Sequence, residues 1–473
     1  MFIIKRQSCI LYLLLLIVVM GGCKIAQPPA LPVAQQLPES YIGDTDTLTD
    51  GSILWQEFFT DPLLVNLIEA ALKNNFDLLR ALQRVEIARA NHAIRQGALL
   101  PSLNLVVSSN LGNVNPNMVG NADQDQRMNN IREEYFMGFQ SSWEADIWGK
   151  LKDQKKAAYA RFLASEKGKH LVTTALVAEI ARLYYELLAV DNELEVVRKN
   201  IDFQEIAVEI IKIQKMGGRA TELAVQQFTA QLLSTKALEK EKQQRIIELE
   251  TEINLLMGRY PQNIPRERDI SELVLPPTIQ EGIPSTLLLN RPDIQQSEFE
   301  LIAAEADVQA ARAAFLPSLT ISPYVGFNAL KTSVLFQTPE SLAAGVLGGI
   351  TAPIFSKKRI RSEFNRAVAE RMTIYYTYQE NIIRGYGEVV NNIRGIDNLE
   401  QVYALKEEEV EVLLNAVSTS NVLFTSGYAS YLEVITAQKS VLEAELELAN
   451  IKKGIFHSVI GLYKALGGGW SWR

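Results

Sequence analysis

The hydrophobic and polar positions of this chain change period several times, and each change occurs twice. Residues 76–98 and 292–315 are rich in Ala, Glu, Gln and Arg and are followed by Pro101 and Pro317, which predicts a helix in each place. Past the prolines the pattern alternates: Leu103, Leu105 and Val107 in one place, Leu319 and Ile321 and then Tyr324, Val325 and Phe327 in the other. Both read as strands of about ten residues, and a second strand follows each, at 135–145 and 344–354. The intervening segments, 113–134 (full of Asn, Asp and Gln) and 328–343, read as loops. Next come 149–215 and 356–425, neither containing a proline. A helix of about 67 residues extends roughly 100 Å, far longer than a compact globule of this size wants. Gly217-Gly218 and Gly427 read as helix C-caps, and returning helices follow at 220–257 and 429–466.

In the last of these helices Val434, Val441, Leu448, Ile455 and Leu462 recur every seven residues, beside a second row of Ala437, Ala444, Ile451, Ser458 and Ala465. Such spacing suits closely packed helices, and a simple intramolecular hairpin would produce it equally well. Residues 260–290, with Pro261, Pro265, Pro276, Pro277 and Pro284, read as an irregular linker. Gly467-Gly468-Gly469 reads as a flexible tail.

Self-comparison shows that the recurrence is a duplication. Asn75-Phe76-Asp77-Leu78 matches Arg291-Pro292-Asp293-Ile294, and Leu100-Pro101-Ser102-Leu103 matches Leu316-Pro317-Ser318-Leu319, both at an offset of 216. Asp146–Lys150 then aligns with Pro353–Lys357 at 207, and Gly218 with Gly427 and Gly258 with Gly467 at 209. The first copy therefore holds about nine extra residues between 104 and 145, which are assigned to the exposed loop, where length changes cost little.

The N-terminus adds a compartment. Lys5 and Arg6 precede an apolar run from Ile10 to Met20 and then Gly21-Gly22-Cys23, the arrangement of a signal peptide cut before a lipid-modified cysteine. Pro28, Pro29, Pro32 and Pro38 follow as an extended tether. The expected organisation is thus a lipoprotein signal peptide at 1–22, a lipid anchor and tether at 23–60, a first repeat at 61–259, the linker at 260–290 and a second repeat at 291–473. The only other cysteine, Cys9, leaves with the signal, so no disulfide or metal-binding thiol pair is expected. Loss of Lys5 and Arg6 leaves 45 basic against 55 acidic side chains, net −10, which argues against nucleic acid as a partner.

Four strands flanked by helices close no sheet, and an open sheet edge cannot face lipid because its unpaired N–H and C=O groups would each cost several kcal/mol. If the strands span a bilayer, several chains must share one barrel: two chains supply eight strands and three supply twelve, and the physics permits either. Ser108, Ser109, Gly138, Ser141 and Ser142 are the expected lumen-lining positions, with Leu, Val, Phe and Trp outward.

The duplicated helix-Leu-Pro-Ser-Leu-strand arrangement, the Trp-Glu-Ala-Asp-Ile-Trp-Gly-Lys run at 143–150, Arg291-Pro292-Asp293 and the Gly-Tyr-Ala-Ser-Tyr-Leu-Glu turn at 427–433 resemble the TolC-like outer-membrane efflux family. The similarity runs from about residue 55 to the C-terminus and is greatest to the lipidated branch that serves resistance-nodulation-division (RND) pumps. The resemblance implies an α+β membrane protein: a homotrimer with a twelve-stranded transmembrane β-barrel and a long periplasmic helical barrel, lipid-anchored through Cys23 in the outer membrane. It implies as partners a periplasmic adaptor (membrane fusion protein), an inner-membrane RND-type pump and outer-membrane lipid, and no cofactor. The family closes its periplasmic end near the turn into the last helix, which makes Glu433 a candidate gate carboxylate and Tyr428, Ser430 and Tyr431 candidate closing contacts. Relatives with an aspartate two residues beyond the turn glycine contrast with Ala429 here. Adaptor docking is expected at the two helical turns, Gly217, Gly218 and Arg219 in one and Ser426 and Gly427 in the other.

Other chemistry finds no support in the sequence. Gly217-Gly218-Arg219 lacks the spacing of a phosphate loop. His92, His170 and His457 are isolated, and the methionines are scattered, so no metal-ligand spacing emerges. There is no Gly-x-Ser-x-Gly elbow and no nucleophile beside a base, so an enzyme is not expected. The competing expectation is a structural or adaptor coiled-coil lipoprotein of the periplasm, which the long helices alone would allow and the paired strands oppose.

Overall fold

The computed structural model describes residues 27–41, 53–113, 131–266, 284–353 and 357–470. The signal segment, Cys23, loop residues 114–130 and linker residues 267–283 lie outside them. The elements in chain order are α1 (Trp55–Phe58), α2 (Pro62–Asn74), α3 (Phe76–Gly97), β1 (Ser102–Asn113), β2 (Ile131–Ala145), α4 (Lys150–Met216) and α5 (Glu222–Leu256). The second repeat follows with α6 (Leu287–Asn290), α7 (Pro292–Ala313), β3 (Ser318–Ala329), β4 (Leu342–Thr351), α8 (Lys357–Thr425) and α9 (Tyr431–Ala465).

Helix ends fall within about three residues of the expected positions. The strands differ more: β2 has 15 residues against 10 in β4, and β4 lies at 342–351 instead of 344–354. At the 207 offset β2 starts four residues earlier than β4, so part of the extra length in the first copy is strand and only the remainder is loop. Helix α2 was not anticipated as an element. Its sequence carries the signals: Asp61 caps it by accepting from the Leu63 amide at 2.8 Å, Pro62 occupies the first turn, and Leu64, Leu67, Ile68 and Ala71 form one buried stripe. The linker is likewise folded at its end, where Leu287 of α6 is 1% exposed.

The chain forms two compact units, each drawing on both repeats. One comprises Ile87–Leu163 and Phe299–Tyr376 with N-terminal residues up to Val33; the other comprises Ala34–Glu86, Ala164–Glu298 and Thr377–Arg473. The first holds one antiparallel sheet in the order β1-β2-β3-β4. Within it Ala157 and Ala160 of α4 pack on Ala303 and Ala306 of α7, small residues that let the helices approach closely.

The second unit holds the largest core. Trp55, Phe58 and Phe59 dock on the end of α9, with the Phe58 ring stacked on Tyr463 at 4.0 Å, and Tyr185 of α4 stacks on Phe456 at 4.5 Å. Both heptad rows of α9 lie buried or half-buried. The duplication is visible here as a repeated clasp. Asn75 donates to the carbonyl of Leu256, the last residue of α5, at 2.8 Å. Arg291, its counterpart at the 216 offset, donates to the carbonyl of Ala465, the last residue of α9, at 3.0 Å. Gly258 and Gly467 take positive φ immediately beyond those helix ends, where a Cβ would run into the backbone of Asn74 and of Asn290. Each copy is thus pinned where its last helix meets its first. The buried Arg291 guanidinium is further held by Asp293 at 2.6 Å and Glu388 at 2.7 Å, which explains the Arg-Pro-Asp run.

The triple glycine near the C-terminus is not a loose tail. Gly467, Gly468 and Gly469 are buried; Gly468 donates to the Tyr463 carbonyl at 3.0 Å, Gly469 to the Tyr463 hydroxyl at 3.1 Å, and a Cβ on Gly468 would collide with the Tyr463 ring. Trp470 then stacks on His170 at 4.5 Å with Lys167 over its indole. Burial, reinforced by Lys169 and Lys167, pushes His170 down to about 4.

Two outcomes are expected. Arg291→Ala should lower thermal stability by on the order of 2–3 kcal/mol, because it leaves Asp293 and Glu388 without their cation, Glu388 being partly screened by solvent; a thermal midpoint equal to wild type would refute the clasp. His170 must bind its proton more weakly folded than unfolded, so stability is full above pH 6.5 and falls as pH drops from 6.5 towards 4. His170→Phe, which keeps a stacking ring, should flatten part of that slope in midpoint-against-pH measurements.

Candidate functional site

The strand register sorts every described sheet position onto one of two faces. Pairing of Leu105 with Phe139, Phe139 with Val325 and Val325 with Ala344 places these side chains on the same face, and the alternate residues follow. That face carries Leu103, Leu105 and Val107, then Trp143, Phe139 and Met137, then Leu319, Ile321, Val325 and Phe327, and finally Leu342, Val346 and Ile350. It is apolar almost throughout and largely uncovered: Leu103 is 70% exposed, Val107 71% and Ile350 75%. The opposite face carries Asn104, Ser108, Gln140, Ser142, Thr320 and Tyr324, with Val106, Phe136, Ala343 and Leu347 as its apolar members.

Of the five small residues expected along a lumen, Ser108, Gly138 and Ser142 lie on the polar face. Ser109 and Ser141 lie on the apolar face, because the register pairs Ser141 with Leu103 and Ser109 with Tyr135. Residue type alone misassigned them; period-2 counting sorts Ser109 from Leu103 on β1 and Ser141 from Trp143 on β2. Gly138 and Gly326 are cross-strand partners on the polar face, so close that a Cβ on either would come within 2.5 Å of the other's Cα. The rings of Phe136 and Tyr324 meet edge to face beside them, at 6.1 Å.

The run from 143 to 150 turns strand into helix. Trp143 Nε1 donates to the Leu99 carbonyl at 3.0 Å, and Trp148 Nε1 to the Pro317 carbonyl at 2.7 Å, so each indole grips a Leu-Pro-Ser-Leu corner. The Asp146 carboxylate accepts from the Leu151 and Lys152 amides at 3.0 and 2.9 Å, capping α4, and Gly149 supplies the positive φ of the bend.

In the second unit the two helical turns come together. Both end in the same cap: the Arg219 amide donates to the Gln214 carbonyl at 2.8 Å and the Tyr428 amide to the Leu423 carbonyl at 2.9 Å, with Gly218 and Gly427 at positive φ. Val208, Ile211, Ala224, Phe228 and Val434 form one buried cluster beneath them, flanked by Phe424 and the half-buried Tyr431. Gly217, Gly218, Arg219, Ser426 and Gly427 are exposed above it, as is Tyr428 at 86%.

Ser430 and Glu433 form a capping box at the start of α9: the Ser430 amide donates to the Glu433 carboxylate at 2.8 Å while the Ser430 hydroxyl accepts from the Leu432 amide at 3.3 Å. The Ser-x-x-Glu spacing at 430–433 signals this arrangement in sequence. The Ser430 side chain, then the backbone amides, hold the Glu433 carboxyl below its ordinary value, so it is charged at neutral pH. A groove of about 520 Å³ runs along the same helices, lined by Phe203, Ile210, Leu414, Phe424 and Val441; Gln204 in its wall is 2% exposed with neither amide atom bonded. Among the described residues no group of His, Cys, Asp and Glu is placed to hold a metal. No described helix is long and apolar enough to cross a membrane.

The N-terminal segment lies along α8. Arg371 donates to the Pro29 carbonyl, and the Tyr375 hydroxyl to the Pro32 carbonyl at 2.8 Å. Further on, the Tyr386 hydroxyl reaches Ser40 at 3.3 Å and its ring stacks on Tyr41. The segment therefore runs parallel to α8, both advancing together from Pro29 at Arg371 to Tyr41 at Tyr386.

Comparison with known proteins agrees with this geometry. The pyoverdine export outer membrane protein OpmQ of Pseudomonas aeruginosa is 30% identical over 88% of this chain and 87% of its own length. The probable outer membrane lipoprotein SilC of Salmonella typhimurium is 29% identical over 96% and 97%. A solved structure of CusC, which reports transmembrane channel formation, matches 94% of this chain and 99% of its own at 26% identity, with a TM-score of 0.79. The sequence profile described as outer membrane efflux protein matches residues 67–259 and 283–468, one segment per repeat. The chain belongs to the outer membrane efflux protein family.

Proposed function

We propose that three copies of this chain close a twelve-stranded barrel in the outer membrane and continue it as a periplasmic helical conduit through which an inner-membrane RND-type pump expels small molecules. The observation that carries the reading is the sheet: one apolar exposed face, one polar face, and outer edges on β1 and β4 with no strand beside them among the described residues. In hydrocarbon such edges are tolerated only when paired with further strands, and copies of the same sheet supply them. The tryptophans at 143 and 148, at the strand ends, suit a membrane interface.

A periplasmic adaptor docks on the paired turns around 216–221 and 425–430. Their exposure on a shared apolar base supports this, as does the groove below, where the unbonded Gln204 amide would meet a polar group of a docked helix. The Glu433 carboxylates of the copies, together with Tyr428, Ser430 and Tyr431, form the gate. Glu433 therefore carries two tasks, capping α9 and presenting charge. The chain is attached to lipid through Cys23. The distance supports it: Pro29 sits at Arg371, 14 residues or roughly 21 Å along α8 from Lys357, and the six residues from Pro29 back to Cys23 reach about 20 Å. Cys23 can thus reach the level at which α8 leaves the sheet. The domain limits at 22, 60 and 290 belong to the same proposal.

Reconstituted protein should migrate as a heat-modifiable trimer and give discrete conductance steps in planar bilayers; a soluble, non-conducting monomer would overturn the conduit. Glu433→Gln keeps the capping box, since Gln serves as well at that position. It should leave folding intact and weaken cation selectivity and divalent-cation block, and an unchanged current would return Glu433 to the cap alone. Cys23→Ser should abolish incorporation of radiolabelled acyl chains and leave the precursor uncut.

A further inference from the structure

We propose that the starts of α4 and α8 form a basic collar that binds the anionic phospholipid headgroups of the periplasm-facing leaflet. The inference deepens the outer-membrane reading above and rests on it. Residues 146–161 and 357–371 contain eleven Lys and Arg against four Asp and Glu, in a chain whose total charge is −8. The concentration occurs at the same place in both repeats, immediately after β2 and β4. Lys152, Lys156, Lys358, Arg359 and Arg361 are exposed. Among the described residues Lys152, Lys358 and Arg361 make no ion pair, whereas Lys150 pairs with Glu144 and Arg359 with Glu363.

Local helix chemistry gives no reason for these charges. Cations in a first helical turn oppose the macrodipole, and α8 has Lys357, Lys358 and Arg359 there with no acidic residue. Asp146 offsets the arrangement in α4, but Pro353 stands at the corresponding place before α8. The local rule is broken outright in α8, and the excess of cations over carboxylates recurs at the equivalent place in α4 although Asp146 and Asp153 stand there; a surplus that local pairing leaves uncompensated points to an external anion.

The position identifies that anion. The apolar face of the sheet continues to Leu103, Trp143, Leu319 and Ile350 at the strand ends that adjoin these helices, and Ile147 and Trp148 in the connection are 58% and 44% exposed. The cations of 150–156 and 357–361 follow within about 10 Å of helix. Apolar band, tryptophan and then cation is the order in which a surface crosses from hydrocarbon through the interface to phosphate, and each Lys or Arg near an anionic leaflet adds attraction that salt screens. Asp153, Glu363 and Glu370 lie among these cations and leave the balance positive.

The test uses the full chain reconstituted into vesicles of phosphatidylcholine with and without phosphatidylglycerol, wild type against a Lys152→Gln, Lys358→Gln, Arg361→Gln triple variant. The readouts are the lipid retained by the solubilised assembly, measured by mass spectrometry, and the bilayer conductance. Wild type should enrich phosphatidylglycerol over phosphatidylcholine, the enrichment should drop on raising salt, and each charge removed should lower it by roughly fivefold. Equal retention of both lipids by a conducting wild-type channel, or full enrichment by the variant, would overturn the collar and leave the conduit standing. A shift of ion selectivity in the variant with lipid enrichment unchanged would place the charges on the lumen and also overturn it. Failure of wild type to insert in either vesicle would overturn the membrane reading itself.

Discussion

Backbone hydrogen bonding in a solvent that offers none is the constraint on which this protein's organisation depends. Among the described residues β1 pairs only with β2, and β4 only with β3, so one row of N–H and C=O groups on each outer edge has no strand partner there. In water such edges are a hazard; in hydrocarbon they are prohibitive. The two-faced side-chain pattern is a consequence of the same setting, because a strand between lipid and an aqueous lumen must alternate. On the proposed reading the edges are completed by copies of the same sheet.

The helical portion is pinned by a motif used twice. In each repeat the residue preceding the first long helix, Asn75 or Arg291, bonds the last carbonyl of the returning helix, and a glycine at positive φ lets the backbones meet. The two solutions differ in strength: the amide makes one such bond, while the guanidinium also gathers Asp293 and Glu388. Duplication preserved the geometry and changed the chemistry. The aromatic stack of Phe58 on Tyr463 and of Trp470 on His170 adds a second tie at the C-terminal end of α9, where the glycines allow the chain to pass beneath the Tyr463 ring.

Much of the fold was legible because the duplication doubled every weak signal. Period-2 alternation after Pro101 and Pro317 located the strands, absence of proline located the long helices, and glycine located their ends. The candidate site was legible in part. The turns at 218 and 427 followed from their glycines, and the Ser430–Glu433 cap was written in its spacing although charge alone drew attention to Glu433. The lumen assignment failed for Ser109 and Ser141 because small side chains are compatible with either face, and only phase decides between them.

The sequence by itself determined the long helices and the strand pairs, that they occur twice and that the first copy is longer between residues 104 and 145, since periodicity, breakers and repeat offsets are properties of neighbouring residues. Only the tertiary structure decided the register that divides the sheet into two faces, the buried fate of Gly467–Gly469, and the union of two turns 209 residues apart over one apolar cluster. Those outcomes depend on contacts between segments distant in the chain, and such contacts leave no local trace. The side chains that hold them, an asparagine, an arginine and glycines among them, are chosen for a partner's backbone and not for their own neighbours.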